Sequence, residues 1–352
     1  MNARQSRAVA LQIKRFLGNL VRARVLGRQN VLPQFCLAYF TYVCNANCAF
    51  CSREKEVKGK CQGERCDLFR LREILVQIRK ITTNLYVTGG EPTILRDLVE
   101  RLKIARELEF WPIIMNTNAI LLNQHWEIMK LLDKLVVSLH TVDTIKLAQT
   151  YDVDQEVAER ALANIVEAAR RSKIPGHAKL MSNLVLTPTN VGDADAVLDF
   201  CLEHGIELAV VPAIVGQKPL IESAEPKTLE VYTQFLDRVI AQKRKNPRTV
   251  QGSLAYLWHI RNLKAVDCRP SAMLSISPSG NVLHPCDGHY RVTLGRLDEQ
   301  TSAMSILSSK LDPNAPFRTC PHRCLKACYA QLAVLTMRPF QSVWDYLWTW
   351  FK

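Results

Sequence analysis

Three cysteines stand within one short stretch of this chain, at Cys44, Cys48 and Cys51. Their C-x3-C-x2-C spacing follows the apolar run of residues 35–43, which predicts a buried strand. Cysteine thiolates hold iron–sulfur clusters, and a [4Fe–4S] cube normally uses four of them. Three thiolates would therefore leave one iron open to a substrate or cofactor. A structural zinc site is the alternative, but such sites usually close four ligands, so the lone triplet favours iron and sulfur.

The elements that would position this triplet alternate between short apolar strands and amphipathic helices. Strands are predicted at residues 35–42, 84–87, 111–116, 134–139, 178–186 and 206–212, and helices at residues 68–81, 95–108, 125–132, 157–172, 194–204 and 226–243. Strand–helix units in series predict an α/β fold, as a parallel sheet or a partial (β/α)6 barrel of the TIM type. The loops at the carboxyl ends of such strands carry the chemistry.

Three more polar motifs end the second, third and fourth predicted strands. They are, in chain order, Thr88-Gly89-Gly90-Glu91-Pro92, Asn116-Thr117-Asn118 and Ser138-Leu139-His140. Together with the cysteine triplet, these motifs resemble the radical S-adenosylmethionine (SAM) superfamily. The resemblance is to members whose C-terminal extension, of the SPASM or twitch type, binds auxiliary iron–sulfur clusters, and it covers roughly residues 35 to 330.

The resemblance implies that Cys44, Cys48 and Cys51 bind a [4Fe–4S] cluster and that SAM chelates the open iron through its amino and carboxylate groups. It also implies a set of SAM-binding residues, which comprises Phe50, Gly89, Gly90, Glu91, Pro92, Asn116, Asn118 and Ser138. In the family, the aromatic residue before the last cysteine lies against the adenine, and the end of the fourth strand contacts the ribose.

Elementary chemistry gives each of these residues a possible task. A glycine pair lets the backbone approach a ligand closely and adopt positive φ, so that carbonyls and Glu91 can receive the ammonium of SAM. Ser138 is either a ribose contact or a helix cap, and Asn116 and Asn118 are either ligand contacts or turn formers. His140 occupies a place where the family often has an acidic residue, which leaves its role open.

Five further cysteines lie in the C-terminal part of the chain, at Cys268, Cys286, Cys320, Cys324 and Cys328. By the resemblance, four of them hold one auxiliary iron–sulfur cluster. We expect the first three and one of the last two. The spacing of the last three departs from the larger SPASM set, whose seven cysteines this segment also lacks, so two auxiliary clusters are not expected. A structural zinc ribbon is the alternative, aided by His284, His289 or His322.

The remaining cysteines divide into two pairs. Cys36 and Cys201 lie in apolar segments and are predicted to be buried and structural. Cys61 and Cys66 follow the triplet in a charged loop, where they are either a redox pair or without a role.

Both ends of the chain are amphipathic, and the formal net charge is +13. No acidic residue precedes Glu54, and residues 1–34 combine apolar residues at helical spacing with Lys and Arg, which is typical of a helix on an anionic membrane surface. Residues 333–352 are an amphipathic tail with aromatic residues suited to a lipid interface. Docking on the protein's own core is the alternative for both ends. Nucleic acid is not an expected partner, because no recognition motif accompanies the basic residues.

These features predict four segments: an N-terminal extension (1–34), a radical SAM partial barrel (35–245), a small auxiliary-cluster domain (246–332) and the C-terminal tail (333–352). Clustered cysteines without a secretory signal favour metal binding in a reducing cytoplasm, with any membrane association at its cytoplasmic face. No apolar run approaches the roughly 18 residues that span a bilayer.

The family's chemistry gives the expected function. A [4Fe–4S] cluster that has received an electron from a reductant such as flavodoxin or ferredoxin passes it to the sulfonium of SAM. A carbon–sulfur bond then breaks, and the resulting 5′-deoxyadenosyl radical abstracts hydrogen from a substrate. The amphipathic ends favour a lipid or isoprenoid substrate at a membrane surface. A ribosomal peptide or protein is the alternative substrate, and a non-catalytic electron-transfer protein is the alternative function.

Overall fold

The computed structural model describes residues 3–25, 31–51, 65–215, 218–266, 272–284, 292–298, 301–302, 305–306, 325 and 330–331. The strands are β1 Phe35–Thr41, β2 Leu85–Gly89, β3 Ile113–Thr117, β4 Lys134–Ser138, β5 Lys179–Leu186, β6 Glu207–Pro212, β7 Ile214–Val215, β8 Lys218–Pro219, β9 Met273–Ile276, β10 Asn281–His284 and β11 Val292–Arg296. The helices are α1 Ala3–Leu20, α2 Leu68–Ile81, α3 Leu98–Glu107, α4 Ile128–Leu131, α5 Thr144–Tyr151, α6 Gln155–Ser172, α7 Ala194–His204, α8 Pro226–Lys245 and α9 Leu254–Arg261.

The first six strands form a parallel sheet in sequence order, with each strand paired to the next. At the free side of β1 the sheet continues through β9, β10 and β11, so its full order is β11-β10-β9-β1-β2-β3-β4-β5-β6. Within the described residues β6 pairs with β5 and not with β1. The α/β class and the partial barrel predicted from the sequence are therefore confirmed.

The alternating strand positions create two different faces. Residues such as Ile113, Met115 and Leu135 point toward the helices and join the main core. The opposite residues, Val136, Met181 and Ala209 with Tyr86 and Ile114, form a separate apolar layer on the concave face. Because successive side chains of a strand point to opposite faces, the next residue but one on each strand also faces this concave side, above the apolar layer.

The predicted strands agree with the observed ones to within two residues at each end, because their apolar runs are short and sharply bounded. Two helices were missed. Helix α5 is short, and its start is fixed by Asp143, whose Oδ1 accepts from the backbone N–H groups of Ile145 (2.9 Å) and Lys146 (3.1 Å). Helix α9 begins likewise at Ser253, whose side chain accepts from the N–H of Tyr256.

The predicted boundary between the barrel and a C-terminal domain does not interrupt the sheet. Strand β9 lies parallel to β1, with Phe35 opposite Met273 and Ala38 opposite Ile276. The β9–β10 hairpin is thus an extension of the main sheet. No described helix is long and apolar enough to cross a bilayer.

Candidate active site at the carboxyl end of the sheet

The cysteine triplet lies in residues 44–51, here called the cluster loop, which leaves the carboxyl end of β1. Its C-x2-C turn is closed by a bond from the N–H of Cys51 to the carbonyl of Cys48 (3.0 Å). All three thiols are half-buried. Burial, with the neighbouring thiols contributing, raises the pKa of Cys48 to about 12, and burial raises that of Cys44 to about 11.

The glycine pair after β2 lets two backbones touch. A Cβ on Gly89 would stand 2.3 Å from the carbonyl oxygen of Thr41, and one on Gly90 would stand 2.1 Å from that of Val43. Two backbone hydrogen bonds stabilise this close approach. The N–H of Gly90 donates to the carbonyl of Thr41 (2.8 Å), and the N–H of Glu91 donates to the carbonyl of Val43 (2.8 Å). Neither glycine has a positive φ, so that part of the expectation is wrong. The pair is needed because the turn must lie against the strand that carries the cluster loop.

Glu91 is held by protein donors on both of its oxygens. Its carboxylate is 1% exposed, and Oε1 accepts from Thr93 N–H (3.0 Å), Thr93 Oγ1 (2.7 Å) and Thr117 Oγ1 (2.7 Å). Oε2 accepts from the N–H of Asn118 (2.7 Å). Burial raises the pKa of this carboxyl, and the four donors oppose the rise. Through these bonds Glu91 ties the turn after β2 to β3 and to the turn that follows it. Its contact with the ammonium of SAM stays a prediction.

Two asparagines between the first two cysteines fix the cluster loop to neighbouring elements on two sides. Asn45 Oδ1 accepts from Asn118 Nδ2 (2.7 Å), which links the loop to the turn after β3. Asn47 donates from its N–H to the carbonyl of Tyr151 (2.7 Å) and from Nδ2 to Asp152 Oδ2 (2.7 Å) at the end of α5. Sequence reasoning missed Asn45, Asn47 and Asp152, although two asparagines between ligand cysteines were a visible signal.

An aromatic group supports the other end of the cluster loop. Phe50 meets His140 edge to face at 5.0 Å between ring centroids, and His140 meets Tyr151 in the same way at 6.0 Å. His140 Nδ1 accepts from the N–H of Val185 (3.2 Å), which leaves the proton of the neutral ring on Nε2. Burial lowers the pKa of His140 to about 4. The role that the sequence left open is therefore structural support of Phe50 by an uncharged imidazole.

Polar side chains line the concave face just above its apolar layer. By alternation from the apolar layer, Thr88, Asn116, Ser138 and Asn183 share this level of the sheet. Asn116 Oδ1 is buried and has no hydrogen-bond partner. A buried amide oxygen without a donor is costly, so this atom fits a ligand that brings a hydroxyl or ammonium donor. The carbonyl of Ser138 accepts a hydrogen bond from the Tyr151 hydroxyl.

The predicted ligands thus divide into described and undescribed sets. Cys44, Cys48 and Cys51 share one loop, whereas Cys61 and the five C-terminal cysteines lie outside the described residues, as does the predicted tail of residues 333–352. Among the described residues, no three His, Cys, Asp or Glu side chains converge tightly enough to hold a single metal ion. Cys36 and Cys201 are fully buried, as predicted.

Comparison with known proteins agrees with this geometry. Residues 38–201 match the model of the Radical SAM superfamily. A protein named "Probable GTP 3',8-cyclase" from Sulfurisphaera tokodaii is 26% identical over 278 residues, which cover 76% of this chain and 83% of that protein. Its namesake from Metallosphaera sedula is 31% identical over 169 residues, which cover 47% of this chain and 51% of that protein.

Solved structures share the fold. Streptococcus suis SuiB superimposes with a TM-score of 0.59 at 17% identity, over 80% of this chain and 66% of SuiB, so the chain spans about two thirds of that protein. The protein anSMEcpe with bound AdoMet superimposes with a TM-score of 0.56 at 14% identity, over 80% of this chain and 81% of its own.

The open cysteine triplet, the backbone-tight glycine turn and the unpaired Asn116 oxygen all fit a [4Fe–4S] cluster with SAM. Together with the match over residues 38–201, they identify this part of the chain as a radical SAM domain, which makes the protein an enzyme.

Proposed function

We propose that the chain binds a [4Fe–4S] cluster through Cys44, Cys48 and Cys51, and that it cleaves SAM reductively to abstract a hydrogen atom from an organic substrate. The observation that carries the proposal is the position of the cluster loop. It leaves β1 beside Gly89 and Gly90, at the end of the sheet where the unpaired Asn116 oxygen also lies. Bound together, the cluster and SAM supply a 5′-deoxyadenosyl radical.

The chain's own residues would orient these groups and exclude water. The backbone at Gly89 and Gly90 lines the approach to the open iron, where its carbonyls can receive the ammonium of SAM. Asn116 offers an acceptor, and Ser138 stands at the same end of β4, where a ribose would contact it. Phe50, fixed by His140, offers a ring face to the adenine. The family match covers a range of residues, and these assignments propose a role for individual residues within it.

The first test is formation of 5′-deoxyadenosine by the anaerobically reconstituted protein with SAM and dithionite. Nucleoside from the wild type, and none from Cys48→Ala, is the expected result. A wild type with an intact iron–sulfur spectrum that binds SAM and never cleaves it, whatever substrate is added, would favour the electron-transfer alternative instead.

We propose a purine nucleotide as the substrate class. The support is the name shared by the curated relatives, whose similarity extends over 76% of the chain in the Sulfurisphaera tokodaii protein. One auxiliary iron–sulfur cluster, held by four of the five C-terminal cysteines, belongs to this proposal. Uniformly deuterated GTP should transfer deuterium into 5′-deoxyadenosine. Nucleoside formation that is unchanged by GTP and carries no deuterium would exclude this nucleotide.

A lipid or isoprenoid substrate is the second candidate, supported by the basic amphipathic N-terminus. This support is weaker because α1 and the cluster loop lie at opposite ends of the sheet. Helix α1 lies at the amino end, where Gln12 donates hydrogen bonds to Thr83 and Trp111. A peptide substrate has support from the fold alone. Deuterated lipids, or a peptide encoded beside the gene, replace GTP in the same assay, and the compound that donates deuterium identifies the class.

A further inference from the structure

Helix α1 rests on the body of the protein through polar contacts. Gln12 Nε2 donates to Thr83 Oγ1 and to the carbonyl of Trp111, both at 3.1 Å, just before β2 and β3 begin. One turn further on, Arg15 donates to the carbonyl of Lys80 (3.4 Å). Asn19 exchanges two bonds with the backbone of Leu32, at 2.7 and 2.9 Å. These polar contacts hold the helix at the amino end of the sheet.

One stripe of apolar residues points the other way. Ile13 and Leu17 lie on α1, and Val21 is the first residue of the π-helical turn that follows it, Val21–Val25. The three recur every four residues and are 54%, 55% and 50% exposed. A surface helix normally turns its apolar stripe toward the core. Here the stripe faces solvent, and the exposed basic residues Arg7 and Lys14 lie beside it.

We propose that the outer face of α1 and of the turn after it, the stripe Ile13-Leu17-Val21 with Arg7 and Lys14, binds an anionic lipid bilayer. An interfacial helix inserts its apolar stripe to the level of the acyl chains while its basic residues meet the lipid phosphates. The bilayer then lies below the amino ends of the strands. The cluster loop, at the carboxyl ends, faces away from the membrane and remains open to substrates from water.

Charge favours a bilayer over other occupants of the stripe. The first 53 residues contain no Asp or Glu, so two copies joined through α1 would bring like charges together. The chain's own residues 333–352 carry Arg338 and Lys352 against the single acidic residue Asp345, so they do not complement α1 either. An anionic surface neutralises the basic residues and covers the apolar ones. This inference is independent of the proposed substrate.

Vesicle co-sedimentation tests the proposal. We expect the full-length protein to bind vesicles of phosphatidylglycerol and phosphatidylcholine, to bind pure phosphatidylcholine weakly, and to lose affinity at high salt. The variant Ile13→Glu/Leu17→Glu should weaken binding by at least about tenfold, because it places charge in the inserted stripe. Ile145→Glu is the matched control, since Ile145 is 56% exposed on α5, and it should bind like the wild type.

Three outcomes would overturn the proposal. The first is that the wild type binds neither kind of vesicle. The second is that the double variant binds as well as the wild type, which would assign membrane binding to another segment. A wild-type dimer that Leu17→Glu alone converts to a monomer would assign the stripe to a second copy. Formation of 5′-deoxyadenosine without vesicles should be the same in all of these proteins, so failure here and failure of the proposed chemistry are distinguishable.

Discussion

The two ends of the parallel sheet are built from different chemistry. At the carboxyl end, short polar side chains are buried and bond to one another, as in the four-donor arrangement around Glu91. At the amino end, long charged side chains pair at partly exposed positions, as Lys134 does with Glu207 at 2.6 Å. The amino end also carries α1 with its apolar stripe outward.

This difference separates the tasks of the two ends. A partly exposed ion pair contributes little to stability and tolerates change, so the amino end can vary and serve as an attachment surface. A buried polar network is costly to break, because each orphaned group loses its partner in a place that water does not reach. The carboxyl end is therefore rigid before any cofactor binds, with an unpaired Asn116 oxygen toward the concave face.

Replacing one carboxylate at each end gives the sharpest contrast. Glu91→Gln keeps the shape but faces an amide N–H2 toward a donor such as the N–H of Asn118, and we expect it to lower the free energy of unfolding by about 3 to 4 kcal/mol. The matched variant Glu207→Gln removes only the bridge to Lys134 and should cost under about 1 kcal/mol. Urea denaturation of both variants measures the difference. Equal losses in the free energy of unfolding would show that the two ends of the sheet do not differ in this way.

A methyl group at the glycine turn tests how tightly the carboxyl end is packed. Gly90→Ala forces a Cβ against the carbonyl of Val43 and should cost about 2 to 3 kcal/mol, with loss of iron after reconstitution. Gly192→Ala is the control, because nothing lies within 4 Å of its Cβ and its φ is not positive. That variant should stay within about 0.5 kcal/mol of the wild type. If Gly90→Ala binds iron normally, the close approach is not required.

The buried imidazole should make stability depend on pH. Burial lowers the pKa of His140 to about 4 from an ordinary value of 6.5. Between these two pKa values the imidazole is protonated in the unfolded chain and neutral in the native state. The free energy of unfolding is therefore unaffected by His140 above pH 6.5 and decreases as the pH falls below it. The apo wild type should lose about 2 kcal/mol through His140 between pH 7 and pH 5.

The variant His140→Gln isolates that contribution. Gln retains an acceptor for the N–H of Val185 and cannot titrate, so its stability should fall less between the two pH values. Denaturant melts of both proteins at pH 7 and pH 5 give the difference. Parallel losses would show that the ring already accepts a proton in the native state.

Much of this architecture could be predicted from the sequence because local patterns carry it. Apolar runs gave the strands of the sheet, and the triplet with its glycine turn pointed to the chemistry. Pairing between distant segments could not be predicted: the sequence does not indicate that β9, in the predicted segment 246–332, lies against β1. Charge is equally ambiguous in the sequence. Lys243, Arg244 and Lys245 stand together at the end of α8, yet Lys243 is buried and donates to the carbonyls of Pro247 and Val250, both at 2.7 Å.

Asn47 tests whether rigidity at the carboxyl end reaches the cluster loop. Asn47→Ala removes the bond to Asp152 but keeps the backbone bond to Tyr151, so it should cost about 1 kcal/mol or less of global stability. The local effect should be clearer, with hydrogen exchange of amides in residues 44–51 about fivefold faster. Gln155→Ala, which removes an exposed amide–carboxylate bond to Glu159 (2.8 Å) on α6, is the control and should leave these amides unchanged. Unchanged exchange in Asn47→Ala would mean that the loop is held by its backbone and by Asn45 alone.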